Sequence, residues 1–253
     1  VKSVSDRTKA LLLDVGNTSI KYSLFYIGET EKNLNVNVIR FENLHQIIEG
    51  SRFVLICSVK QEAFNNKLSA LLSKYDCKYE FIHTQRRYRS LINSYENVSN
   101  MGGDRWVGMI GAQTLVGDSF LLVDAGTAIT IDVVHKQQHL GGWIVAGKRI
   151  AKDALLANTD RVFDSELIGD TLAFGKDTPD CVQQGSSAMA TGVVLVALEL
   201  LKDYNSTFVT VVSGGDAALI ASNLKTMKKT PIFETNNIVL TGLASIANHK
   251  FSV

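Results

Sequence analysis

The stretch Leu11-Leu-Leu-Asp-Val-Gly-Asn-Thr-Ser-Ile-Lys-Tyr-Ser-Leu-Phe25 decides the fold, because the chain writes it again as Leu121-Leu-Val-Asp-Ala-Gly-Thr-Ala-Ile-Thr-Ile-Asp-Val-Val134. In each copy an apolar run predicts a buried strand, Asp-x-Gly with hydroxyl residues a tight turn, and an alternating run the returning strand. Asp14 and Asp124 open the two turns. Glycine there lets the backbone approach a ligand and adopt φ > 0, while Asn17, Thr18 and Thr127 add polar groups, so each turn can offer N–H donors to phosphate oxygens. One Asp-x-Gly turn is an ordinary hairpin signal. Two copies, each directly after an apolar strand, point to a pair of hairpins that face each other and clasp a polyphosphate. Bare carboxylates would repel a nucleotide, so a bridging divalent cation fits, hard ions preferring carboxylate and water oxygen. Either aspartate alone could equally cap its turn.

Working outward, Val36 to Phe41 reads as a third strand beside Leu11 to Val15 and Lys21 to Ile27. Leu44 to Glu49 is a short helix, Phe53 to Ser58 a buried strand, Gln61 to Tyr75 a helix with Phe64, Leu68, Leu71 and Leu72 at helical spacing, and Tyr79 to Ile82 a strand. A helix over Asp104 to Val116 leads to the second hairpin. His139 to Val145 adds a strand, and helices follow at Arg149 to Ala157 and from Pro179 to Asp203, with Pro179 in the first turn. Thr207 to Val212 is a strand, Ala217 to Leu224 a helix, and Val239 to Ala247 a closing helix. An internal repeat of a mixed α/β lobe follows, with lobes over residues 1–115 and 116–253.

The chain has 253 residues, 45% of them hydrophobic, enough for two real cores. Lys plus Arg number 26 against 25 Asp plus Glu, so no overall field favours nucleic acid or an anionic membrane. A ligand phosphate has to be held locally. The three cysteines, Cys57, Cys77 and Cys181, are scattered without metal-ligand spacing, which fits a reducing compartment. Val1 to Lys9 is polar and reads as neither signal peptide nor anchor, and uninterrupted apolar runs are short, so a cytoplasmic location is expected.

Three further clusters can carry chemistry. In Met101-Gly-Gly-Asp-Arg-Trp106, glycines before a helix free its N–H groups for a ligand, and Arg105 offers a planar fork for a carboxylate. Asp104 can accept a hydroxyl proton during phosphoryl transfer, or merely cap the helix. Ser213-Gly-Gly-Asp216 sits where a base or ribose contact often lies, and equally where an ordinary strand-to-helix loop would. Gly141-Gly142 is similarly open.

In order, these motifs resemble one family over nearly the whole chain, from about Leu11 to Ala247: type III pantothenate kinase. Asp14-Val-Gly-Asn-Thr-Ser-Ile-Lys21 resembles its first phosphate motif, Tyr95 with Gly102-Gly-Asp-Arg-Trp106 its pantothenate motif, and Asp124-Ala-Gly-Thr-Ala-Ile-Thr130 its second phosphate motif. Gly141-Gly142, Thr178 ahead of Gln184-Gly185, Ser213 to Asp216 and Leu240-Thr-Gly-Leu-Ala244 fall where the family has like segments. The resemblance implies an α/β fold of two duplicated ribonuclease-H-like lobes of the actin-like ATPase kind, each a mixed sheet with flanking helices. It further implies a homodimer, ATP as donor with Mg²⁺, and a monovalent cation, K⁺ or NH₄⁺. Carried over by residue, Asp14, Val15, Gly16, Asn17, Thr18, Ser19, Ile20, Lys21 and Thr127 would bind ATP and Asp124 the monovalent cation. Tyr95, Gly102, Gly103, Asp104, Arg105 and Thr178 would hold pantothenate, with Asp104 as general base. The chain departs from the family at Ala146-Gly147, where Pro-Gly is usual, at Thr159 to Phe163, where Thr-Ala-x-Leu-Pro is frequent, and at Gly103, often bulkier.

The expected reaction is in-line transfer of the ATP γ-phosphoryl group to the primary hydroxyl of pantothenate, the first step of coenzyme A synthesis. Other readings are a kinase of another small hydroxylated metabolite such as a sugar, a polyphosphate phosphatase, or a nonenzymatic accessory protein that keeps the ATP clasp. Both hairpin aspartates, Asp104 and Arg105 favour the kinase.

Overall fold

Strands β1 (Lys9–Val15) and β2 (Ile20–Tyr26) pair antiparallel around the first turn. This computed structural model describes residues 8–32, 34–163, 172–204, 206–227 and 230–252. β3 (Asn37–Ile39) follows, then α1 (His45–Ile48), β4 (Phe53–Ser58), α2 (Glu62–Leu72) and β5 (Lys78–Phe81). They form one sheet in the order β3-β2-β1-β4-β5, in which β4 and β5 run parallel to β1. β1 lies in the middle because every residue from Ala10 to Leu13 is apolar and buried, the signature of a strand covered on both faces. Leu11, Leu13, Val54, Ile56, Leu68 and Leu72 meet in one core between this sheet and α2. A short hairpin, β6 (Arg87–Tyr88) with β7 (Leu91–Ile92), and α3 (Gly103–Val116) follow.

The second half repeats this wiring. β8 (Phe120–Ala125), β9 (Ala128–His135) and β10 (Gln138–Ala146) form a meander. α4 (Lys148–Ala157) and α5 (Thr178–Leu200) lead to β11 (Val209–Ser213), parallel to β8, and α6 (Ala217–Thr226) leads to β12 (Ile232–Glu234), parallel to β11. The order β10-β9-β8-β11-β12 matches that of the first sheet strand for strand. The duplication inferred from the two hairpins therefore extends through both sheets. β6, β7 and β12 have no counterpart among the elements expected from the sequence.

The last helix, α7 (Ile238–Phe251), belongs with the first half: one unit comprises residues 1–117 and 237–253, the other 118–236. A boundary at residue 115 places this helix in the second lobe, whereas in the structure it lies on α3. The crossing is close because both helices carry glycine there. A Cβ on Gly242 would stand 2.0 Å from the Val107 carbonyl, and one on Gly111 2.5 Å from that of Ile238. Thr114 donates to Ser245 Oγ at 2.9 Å. Every residue from Ile238 to Ala247 is buried.

α5 departs from another expectation. With its 3₁₀ extension it spans Thr178–Asp203, and a stretch of 18 residues within it reaches a mean hydropathy of 1.4, long and apolar enough to cross a membrane by length and composition. Its glycines, serines and threonines interrupt the apolar run, which is why short runs in the sequence conceal it. Ala190, Val194 and Ala197 pack into the core of the second unit with Leu121, Val123 and Ile131.

Candidate active site

The first turn is closed by the Gly16 N–H, which donates to the Ser19 carbonyl at 3.0 Å. It leaves Asn17 and Thr18 exposed. Neither Gly16 nor Gly126 takes a positive φ, so conformational freedom is not why glycine stands there. A Cβ on Gly16 would lie 3.3 Å from the Ser19 carbonyl, a tight contact within the turn. Strand register sets Lys21 directly opposite Asp14, with Cys57 beside it on β4. Val15 is buried and Ile20 nearly so. They anchor the turn rather than line it.

Asp14 accepts a hydrogen bond at 2.8 Å from Asn237 Nδ2, while Asn237 Oδ1 accepts the Leu240 N–H at 2.7 Å and so caps α7. Burial pushes the Asp14 carboxyl above its ordinary 3.8; the Asn237 bond and the Lys21 ammonium pull it back, and the Asp104 carboxylate adds to the rise. The same carboxylates, after burial itself, hold the Cys57 thiol well above its ordinary 9.0. Asp14, Cys57 and Asp104 thus feel one another.

Asp104 stands in the first turn of α3. The N-cap is Gly102, and Asp104 Oδ1 accepts the N–H of Arg105 at 2.8 Å. A carboxylate is favoured at this helix end, where unpaired N–H groups concentrate positive potential. Gly102 is required by crowding, since a Cβ there would meet Asp104 Oδ1 at 2.5 Å. At Gly103 a Cβ would find only ordinary contact, 3.4 Å from the Ile82 carbonyl and 3.7 Å from Cys57 Sγ, so the family's bulkier residue has room to begin. Arg105, 6% exposed, donates to the Tyr95 hydroxyl at 2.9 Å with its guanidinium 5.7 Å from the Tyr95 ring centre. Tyr95 is itself held, its N–H donating to Asn93 Oδ1 at 2.9 Å. Arg86 braces the segment through the carbonyls of Asn93 and Glu96.

In the second unit the turn is one residue shorter. Ala125 pairs with Ile129, where Val15 pairs with Ile20. Asp124 ends β8 opposite Thr130 and beside Ser213 of β11. Two glycines press on this turn. A Cβ on Gly147 would stand 2.2 Å from the Gly126 carbonyl and 2.5 Å from that of Thr127, and the Gly147 N–H donates to Thr127 O at 3.1 Å. Gly214, at φ +95°, would bring a Cβ within 2.3 Å of the Ala125 carbonyl, and that carbonyl accepts the Asp216 N–H at 3.0 Å. The loop Ser213 to Asp216 is therefore a brace for the second hairpin. Thr178 opens α5 after the cap Asp177, whose side chain accepts the Asp180 N–H at 3.0 Å.

The expected site residues fall into two groups. Asp14 to Lys21, Tyr95 and Gly102 to Arg105 are carried by the first unit, and Asp124, Thr127 and Thr178 by the second. Asn237, Asn93, Arg86 and Gly147 belong to the surroundings of these turns although no sequence motif marks them as site residues. Asn237 leaves a readable trace as a cap residue just before an apolar helix, but its bond to Asp14 leaves none. Of the pair Ala146-Gly147 only Ala146 departs from Pro-Gly, and Gly147 keeps the glycine that the turn demands.

Comparison with known proteins follows the same line. The profile of the family described as type III pantothenate kinase matches residues 10–199. The type III pantothenate kinase of Pseudoalteromonas atlantica is 32% identical over 244 residues, 95% of this chain and 98% of that protein. That of Pseudoalteromonas translucida is 33% identical over 220 residues, 85% of this chain and 88% of its own length. Among solved structures, a candidate Baf family transcriptional activator from Campylobacter jejuni superposes with a TM-score of 0.61 at 20% identity, over 96% of this chain and all of that one. A candidate 2-dehydro-3-deoxygalactonokinase from Sinorhizobium meliloti gives 0.61 at 12% identity with the same coverage. At such identities these likenesses speak for the actin-like ATPase fold alone.

Proposed function

The chain belongs to the type III pantothenate kinase family, and from that premise we propose how its residues divide the work. The enzyme phosphorylates pantothenate with ATP, opening coenzyme A synthesis. The observation that carries the assignment of roles is the grouping, in one unit, of the Asp14–Lys21 hairpin, Asp104 and the Tyr95–Arg105 pair.

Asp14 to Lys21, with Thr127, bind ATP, the backbone N–H groups of the first turn and the Lys21 ammonium meeting the phosphates. Tyr95, Gly102 to Arg105 and Thr178 hold pantothenate, and Arg105 serves its carboxylate. Asp104 takes the proton of the primary hydroxyl as that oxygen bonds to the γ-phosphorus and the bond to the β-bridging oxygen breaks, releasing ADP. The helix start that carries Asp104 fixes its orientation through the Arg105 N–H.

A divalent cation suits the first unit, because a carboxylate raised by burial and by its neighbour Asp104 is relieved by positive charge. Among the described residues no cluster of three His, Cys, Asp or Glu can hold an ion alone. Mg²⁺ would be held there through a carboxylate and the substrate phosphates, whose charge it would neutralise. Asp124 is assigned to K⁺ or NH₄⁺. A homodimer belongs to the same proposal, supported by the exposed apolar side chains Trp143, Ile144, Ile150, Leu155, Val196 and Leu200 of the second unit. So does a cytoplasmic location.

The test is purified protein with ATP, Mg²⁺ and K⁺, with and without pantothenate, following ADP. Pantothenate-dependent ADP formation is expected. ADP release indifferent to pantothenate would rule the activity out.

A further inference from the structure

Lys60 lies just beyond β4, outside every motif named above, yet its side chain ends on the first phosphate turn. Its Nζ donates to the Asn17 carbonyl at 2.7 Å. Pairing continues past the strand ends, the Val59 N–H donating to the Val15 carbonyl at 3.1 Å, and so delivers residue 60 to the turn. The backbone is then held on both sides. Its N–H donates to Ser58 Oγ at 3.2 Å, its carbonyl accepts from Asn65 Nδ2 at 3.2 Å, and the Ser58 hydroxyl donates to Asn65 Oδ1 at 2.7 Å. The ammonium also stands 5.9 Å from the Phe64 ring centre, an attraction that favours a cation there.

A lysine serving only solubility keeps its head in water. This one is fixed by its own strand and by α2 against the residue at the tip of the turn. An ammonium has three donors, so the bond to Asn17 leaves capacity for an anion arriving at the same place. Asn17 and Thr18, which flank that place, are exposed. The surroundings suit a polyphosphate, which needs a point charge as well as backbone donors.

We propose that Lys60 is a positioning residue for the nucleotide: it holds the Asn17–Thr18 turn in its phosphate-binding form and sets a positive charge beside the polyphosphate of ATP. The inference rests on the kinase reading of this hairpin. Three variants test it against the wild type. Lys60→Met keeps the stem over Phe64 and removes bond and charge, Lys60→Gln keeps a donor without charge, and Lys60→Arg keeps both. Steady-state kinetics are measured for each substrate at two ionic strengths, with ATP affinity by titration calorimetry and thermal unfolding as a check of the fold.

For Lys60→Met the KM and Kd for ATP should rise about tenfold, the size expected for a lost charge-assisted hydrogen bond. The KM for pantothenate should stay put, the salt dependence of ATP binding should weaken, and Lys60→Arg should recover most of the loss. Lys60→Gln should fall between, with the weakened salt dependence of the Met variant. An ATP affinity within twofold of wild type in both Met and Gln variants would overturn the inference, as would equal rises in both KM values. A wild type that binds ATP but shows no pantothenate-dependent turnover would sink the kinase reading and leave Lys60 to be judged on ATP affinity. A wild type that binds no ATP would overturn both.

Discussion

Replacing Asn237 by alanine removes two interactions made by one side chain, and their sizes set a definite expectation. The donor to Asp14 at 2.8 Å meets a charged group, worth about 1.5 to 3 kcal/mol. The cap on the Leu240 N–H at 2.7 Å is the other, worth about 1 kcal/mol. Asn237→Ala should therefore destabilise the first unit by roughly 2.5 to 4 kcal/mol near neutral pH. The sign of the pH dependence follows from Asp14. Its folded value lies above 3.8 even with Asn237 pulling it down, so the stability it contributes is full below 3.8 and is lost as pH rises through the folded value. Without Asn237 that value climbs further, and the loss on raising the pH is larger. The gap between wild type and variant should thus be smallest in acid, where Asp14 is protonated in both, and widen towards neutrality. Urea unfolding in EDTA, followed by tryptophan fluorescence, measures it. The chain has two tryptophans, and in a Trp143→Phe background the buried Trp106 of α3 reports the first unit alone. A gap below about 1 kcal/mol at neutral pH, less than the cap and the charged bond together allow, would refute the reasoning. So would a gap that stays flat or narrows as pH rises.

Asp104→Asn should lower kcat by roughly 10² to 10⁴ with little change in substrate binding, the usual size of general-base assistance; near-normal turnover would take the base role from Asp104. Asp124→Asn should abolish activation by K⁺ or NH₄⁺ at fixed Mg²⁺, whereas a raised Mg²⁺ requirement with intact K⁺ activation would make Asp124 a divalent ligand. Gly147→Ala drives a methyl group into the Gly126 and Thr127 carbonyls and should cost about 1 to 3 kcal/mol on denaturation, as overpacking does; wild-type stability with an unchanged ATP KM would show that the turn does not need this contact. Cys57 is buried and its thiol is held well above 9.0, while Cys181 is exposed. Iodoacetamide at pH 8 should therefore alkylate Cys181 in the folded protein and spare Cys57 until unfolding, and mass spectrometry showing equal rates would contradict the burial.

The hairpins were legible because strand and turn chemistry are local, and the second sheet could be foreseen because it repeats the first. β12 escaped notice for the opposite reason: three residues after Pro231 carry no alternation, and β6 and β7 have two residues each. The placement of α7 was not legible at all. A helix buried on every side does not say which sheet it covers, and the answer lies in the match of Gly111 with Gly242, far apart in sequence. The glycines of the Asp-x-Gly turns were recognised, but their left-handed conformation was not found. Beside the second turn, positive φ falls instead on Gly214, in the neighbouring loop that braces Ala125. Lys60 and Asn237 show the same limit, since each reaches its target only after a strand or a helix has been laid beside β1.

The joining of α7 to α3 also orders the birth of the protein. Residues 118–236 form a contiguous unit, whereas the first unit is interrupted by them and completed by 237–253. During synthesis the later-made unit is thus the first to have its whole sequence outside the ribosome. The first sheet must wait, with the Gly111 face of α3 uncovered and Asp14 lacking its Asn237 donor, until α7 emerges. Removal of α7 would then act on the Asp14 hairpin far away in the sequence, and nascent chains halted before Asn237 would present an apolar helix face to chaperones.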